Sequence, residues 1–161
     1  MHRFQQSIQR ALQNEAWYSA LALALCIPDI CNGFEGKRGG EAYAEWFEAY
    51  MPDKYHNSSP EKLSGKNCYA LRCAYAHDGN QRIDEQRARD KVLDEFLFVA
   101  DRDSQHRHQN HLMRSNRTLQ VEIHCFCNDM SNAIVKWWRT VVEPNPEIKE
   151  EFESTLQIFE M

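Results

Sequence analysis

The sequence predicts a single, mainly α-helical domain carrying a small β-hairpin, and three observations predict it. Apolar residues recur at offsets of three and four through most of the chain, which is the spacing of one helical face. Two short segments instead show strand character, one of them with a period of two. With 161 residues and 42% hydrophobic content, the chain has enough apolar surface for one sizeable core, whereas two independent domains would each be small. The expected organisation is one domain over 1–161, with core helices over 3–79, a β-hairpin over 95–126 and C-terminal helices over 129–159.

In chain order, Phe4, Ile8, Ala11 and Leu12 mark the first helix, and Asn14 a break or cap. A second helix over 15–25 is apolar nearly all round, which predicts a place in the middle of the packed body. Pro28 begins a turn or a short further turn of helix through Ile30 and Cys31. The stretch 32–40 holds four glycines and reads as a loop. A third helix over 41–51 carries the aromatic stripe Tyr43, Trp46, Phe47 and Tyr50, expected to fill the core. Residues 52–60 form a polar connector. Ser64 is the expected N-cap of a fourth helix that ends near His77, with Asp78 and Gly79 as the stop.

Residues 81–91 are too polar to pack deeply. Strands are expected over 95–100 and 118–126, the second because Leu119, Val121, Ile123 and Cys125 alternate with Gln120, Glu122 and His124. The long polar loop 101–117 separates them. A helix over 129–142 turns Ile134, Trp137, Trp138 and Val141 inward, and an acidic amphipathic helix follows Pro144 and Pro146.

Net charge is −5, against a general nucleic-acid coat protein held by a broad basic surface. Six glutamates against Lys149 alone in 143–161 account for that excess, so the remainder is near neutral and has room for a local basic site. The apolar stretch from Ala16 to Ile27 falls short of the roughly 20 residues a membrane span requires, and no secretory cleavage pattern follows it. A cytoplasmic protein without membrane contact, its six cysteines reduced and mostly buried, is the expectation.

The chemistry centres on the fourth helix. At offsets of three and four, Arg72 is flanked by Cys68, Tyr69, Tyr75 and Ala76, none of them acidic. A guanidinium in apolar surroundings must find an anion elsewhere, in the protein or in a ligand phosphate. His77 follows about 7.5 Å along the axis and roughly 140° round, so one copy of the helix does not aim both groups at a single point. Two copies about a twofold axis bring two of each to one cleft.

The segment Arg72-Cys-Ala-Tyr-Ala-His77 resembles the R-x4-6-H motif of HEPN domains, all-helical proteins many of which are metal-independent endoribonucleases of toxin–antitoxin, phage-defence and CRISPR-associated systems. The resemblance implies a HEPN-like helical bundle, a homodimer with a composite site, RNA as substrate and no cofactor. Arg72 and His77 take the catalytic positions. Histidine exchanges a proton near neutral pH and arginine stabilises charge on the phosphate, so attack by the 2′-hydroxyl requires no metal. Tyr69, Tyr75 and Asp78 on the same helix, and Arg107 and Arg114 in the net-positive loop 101–117, are the candidate substrate-binding residues.

Two alternatives stand beside this. Arg72 bonds an internal carboxylate such as Asp29 while His77 caps the helix C-terminus, leaving a non-catalytic interaction or scaffold protein, a dimer or the partner subunit of an antitoxin or effector complex. His106, His108 and His111, with His124, Cys125 or Cys127, form a metal site, although their spacing matches no standard zinc pattern. A solvated loop is the simpler account of those histidines.

Overall fold

The structure is a computed structural model and describes residues 2–55, 63–90 and 92–155. Helix α1 (His2–Gln13) leads through Glu15, whose positive φ of 54° reverses the chain, into α2 (Trp17–Phe34). Helix α2 runs nine residues past its expected end. Pro28, which cannot donate to the carbonyl four residues back and usually breaks a helix interior, lies within it, because Ala24, Leu25, Ile27, Pro28, Cys31 and Asn32 are all buried and tertiary packing holds the turn. The expected glycine-rich loop shrinks to 35–38, since α3 (Gly39–Tyr50) takes up two of its glycines.

Helix α2 packs against α1, α3, α6 (Pro146–Ser154), α4 (Gly65–Asp78) and α5 (Ile123–Trp137). Among the described residues it is the one helix long and apolar enough to cross a membrane, and it serves here as the central helix of the bundle. The aromatic stripe behaves as expected: Tyr43, Trp46 and Phe47 are buried, and the Tyr43 hydroxyl donates to the Leu25 carbonyl at 2.9 Å.

Helix α4 is framed at both ends as the sequence predicts. The Ser64 hydroxyl accepts from the Asn67 amide at 3.1 Å, and Gly79 closes the helix at a φ of 59°. Its position against α3 depends on Gly65, where an added Cβ would lie 2.6 Å from the backbone of Ala44.

The β region differs from expectation. Strands β1 (Glu95–Val99), β2 (Met113–Ser115) and β3 (Thr118–Glu122) form a sheet of order β1-β3-β2. β1 and β3 are parallel, so they are not the two arms of a hairpin; β2, from inside the expected loop, makes the antiparallel hairpin with β3. The second strand also ends at Glu122 rather than at 126. From there α5 begins, because Ile123, Phe126, Cys127, Met130, Ala133, Ile134 and Trp137 lie on one helical face and are all buried. The Glu122 side chain accepts from the Cys125 amide at 2.8 Å and caps the helix. A π-helical turn over Trp138–Val142 follows.

In α6, Phe152 is buried among Phe4, Phe34, Trp137 and Trp138, and Arg3 donates to the carbonyls of Phe152 and Thr155 at the helix end. A cation at a helix C-terminus satisfies its last carbonyls and its dipole. The expected end of this helix, to 159, extends outside the described residues, as does most of the connector 52–60, of which 53–55 make one 3₁₀ turn. The fold is thus mainly helical with a small three-stranded sheet.

Candidate functional site

Arg72 sits on the outer side of α4 against α2. Its Nε lies 2.7 Å from Oδ2 of Asp29, with about a quarter of each side chain exposed. Both atoms are shielded from water and the approach is off the hydrogen-bond axis, so the attraction is chiefly ionic. Burial works against the Arg72 charge, but Asp29, with the nearby Cys26 and Cys73, outweighs it and raises its pKa. Asp29 is one residue past Pro28, in the part of α2 that extends beyond its expected end.

His77 is exposed on the last turn of α4. No contact joins it to Asp78 or to Arg72 among the described residues, and α4 ends on the Gly79 amide rather than on an imidazole cap. Tyr69 is half-buried against Tyr43, with ring centroids 5.3 Å apart, and its ring edge fills the space beside Gly40. Tyr75 donates its hydroxyl to the Tyr18 carbonyl at 3.0 Å. Around Arg72 the surface is weakly polar: Ala22, Cys26 and Ile30 of α2 and Tyr69 and Cys73 of α4 are half-buried, Ala76 is exposed, and Tyr18 is 80% exposed. Burial pushes the Cys26 thiol up in pKa.

The structure takes the two loop arginines elsewhere. Arg114 lies on β2 and donates to the carbonyls of Asn116 and Val92. Arg107 donates through Nε to the Asp101 carbonyl at 2.8 Å and faces a cavity between α1, α5 and the loop.

The histidine-rich loop, read as solvated, is in part a buried network. His111, with only 3% of its side chain exposed, accepts from the Glu122 amide through Nδ1 and meets the Tyr55 hydroxyl through Nε2 at 2.8 Å. Tyr55 donates to Asp129 at 2.8 Å, and Lys54 pairs with the same carboxylate oxygen at 2.5 Å. Burial, reinforced by the Lys54 charge, depresses the His111 pKa to about 4. Glu122, fully buried, accepts from His124 Nδ1 at 2.8 Å and from the Asp101 amide at 3.2 Å. Burial alone would favour its neutral form, but these bonds and the cap to Cys125 hold it below the usual carboxylate range.

His106 and His108 are exposed. Among the described residues no three His, Cys, Asp or Glu side chains converge to hold a metal ion. Cys125 lies 3.6 Å from His108 Nδ1, and burial with the adjacent Glu122 pushes its thiol up to about 12, the direction that disfavours a thiolate. Comparison with protein-family models, with curated proteins and with solved structures finds no match.

The sequence pattern puts Glu122 and His124 on the polar side of a strand, where His124 is a candidate metal ligand and Glu122 has no expected role. The signal that would have found them is the helical spacing of Ile123, Phe126, Cys127 and Met130, which makes Glu122 a capping residue and turns His124 onto a helix.

Proposed function

We propose that the chain is a metal-independent endoribonuclease of HEPN type, acting in the cytoplasm as a homodimer in a toxin or phage-defence setting. The observation that supports this most is that Arg72 and His77 reach the surface from one helix, beside a weakly polar α2/α4 face that stays open among the described residues. Asp29 holds the guanidinium in place on that face, and a dimer supplies two imidazoles to one cleft.

In the reaction the RNA 2′-oxygen bonds to the adjacent phosphorus and the bond to the 5′-oxygen breaks. One His77 takes the 2′-hydroxyl proton, the other returns a proton to the 5′-oxygen, and Arg72 offsets the charge on the phosphate oxygens. The products are a 2′,3′-cyclic phosphate and a 5′-hydroxyl.

With a fluorogenic RNA, Arg72→Ala and His77→Ala are each expected to lower cleavage about 100-fold or more, with unchanged circular dichroism. Folded variants as active as the parent protein exclude the proposal.

The Arg72–Asp29 pair also favours a second reading, a non-catalytic interaction protein, because the guanidinium already has an internal partner. On that reading no RNA is cleaved, the face joins a second copy or a partner subunit, and Asp29→Ala acts on stability or assembly alone.

A further inference from the structure

The cavity between α1, α5 and the loop 101–111 has a volume of about 420 Å³, and its charged lining consists of Arg102, Arg107 and Glu15, a net single positive charge, with His124 beside them. His124 is held more tightly than any surface histidine requires. Both Glu122 carboxylate oxygens already accept from backbone amides, of Asp101 and Cys125, so the acid serves as an acceptor, His124 Nδ1 supplies the hydrogen of their 2.8 Å bond and Nε2 is the atom left for a ligand. Nε2 has no partner among the described residues. The Trp17 ring, edge-on at 4.9 Å, fixes the plane of the imidazole.

Arg107 is positioned by the same carboxylate at one remove. Its Nε donates to the Asp101 carbonyl, and the Asp101 amide donates to Glu122. One buried acid therefore orients both an imidazole and a guanidinium toward one cavity, which is more than packing alone demands. Arg102 stands at the rim, 85% exposed, in a loose 3.4 Å contact with Glu15.

Trp17 also lines a second, apolar cavity of about 190 Å³ together with Tyr18, Tyr75 and Phe98. Tyr75 lies on α4 between Arg72 and His77. An anion site joined through an indole to an aromatic pocket has the layout of a surface that grips a strand by its phosphates and stacks its bases.

We propose that the His124/Arg107 cavity is a phosphate-binding subsite for single-stranded RNA, which seats a base against Trp17, Tyr18 and Tyr75 on the way to His77. The identity of the strand as substrate rests on the nuclease reading above, whereas phosphate binding itself does not. A free nucleotide offers the same phosphate chemistry.

The full chain, labelled with ¹⁵N at histidine, is titrated with inorganic phosphate, with uridine 5′-monophosphate and with a 2′-O-methyl oligoribonucleotide of eight residues, while the imidazole nitrogens are followed by NMR. All three should shift His124 Nε2, and the oligonucleotide should bind at least about tenfold more tightly than the mononucleotide because it adds stacking. Arg107→Ala should weaken oligonucleotide binding about tenfold. The rim variant Arg102→Gln, which carries little folding risk, should weaken it severalfold.

A His124 signal unmoved by any of the three ligands overturns the subsite, even if the protein cleaves RNA through His77. Equal affinity for mononucleotide and oligonucleotide overturns the strand. A His124 that responds as expected in a protein that cleaves no RNA keeps the subsite and rejects the nuclease reading.

Discussion

The α2/α4 face and the β3–α5 junction both gather histidine with charged partners, but they treat the histidine in opposite ways. At the junction each imidazole is held: His111 by Tyr55 and the Glu122 amide, His124 by the Glu122 carboxylate and Trp17. On α4 the cation is held, by Asp29, and His77 stands free at the helix end. Fixing an imidazole takes a buried acceptor, and a buried acceptor is costly unless fully bonded. Among the described residues the imidazole-to-carboxylate arrangement is made at Glu122. On α4 the protomer orients a guanidinium and leaves the imidazole unheld among the described residues.

The contrast predicts unequal costs for removing an acid from each region. Glu122→Ala takes away a fully buried carboxylate that bonds three groups and caps α5, and urea unfolding should show a loss of about 3–5 kcal/mol. Asp29→Ala removes one partner of a quarter-exposed pair and should cost at most about 1 kcal/mol. Equal losses would erase the distinction.

Acid should reveal the junction before the face. The folded pKa of His111, about 4, lies below the roughly 6.5 of an unfolded histidine, so the unfolded state binds the proton first. Its contribution is complete above about pH 6.5 and is lost as pH falls toward 4, on the order of 3 kcal/mol across that window. The lowered Glu122 pKa acts in the same direction at still lower pH. His111→Gln should flatten the decline of stability between pH 6.5 and 4, and an unchanged slope would show that His111 does not carry it.

Tyr55→Phe removes the hydroxyl between His111 and Asp129, and should destabilise by about 1–3 kcal/mol in the same assay because both partners lose a bond. The smallest effect is a chemical one. Of the six free thiols only Cys26 and Cys73 are partly exposed, and both flank Arg72. A disulfide reagent should label these two in the native protein and the other four only on unfolding. Fast labelling of Cys125 or Cys127 would mean the junction opens more readily than its packing indicates.

What the sequence made legible was governed by local chemistry. Ser64 and Gly79 frame α4 because a hydroxyl cap and a left-handed glycine act within a few residues. The aromatic stripe of α3 is buried because its spacing alone puts it on one face. Pro28 left the end of α2 open because its penalty is local while the packing that outweighs it comes from the helices around α2. Helical and strand spacing overlap at 119–127, and the alternation of Leu119, Val121, Ile123 and Cys125 hid the turn at Glu122. Of the candidate site, Arg72 and His77 were visible as residue types, and Asp29 was among the named internal partners. The Glu122 network was not visible, since it joins Tyr55, Asp101, His111, His124 and Asp129, which only the tertiary fold brings together.

The parallel alignment of β1 with β3 carries a consequence for how the chain reaches this state. Parallel neighbours cannot be joined by a tight reversal, so the eighteen residues 100–117 must travel back the full length of the strand before β3 can register. Such non-local closure is slow compared with assembly of adjacent helices. The same crossover carries Arg107 and His111 to the β3–α5 junction, so shortening it is expected to disturb the strand pairing and the His111 network together.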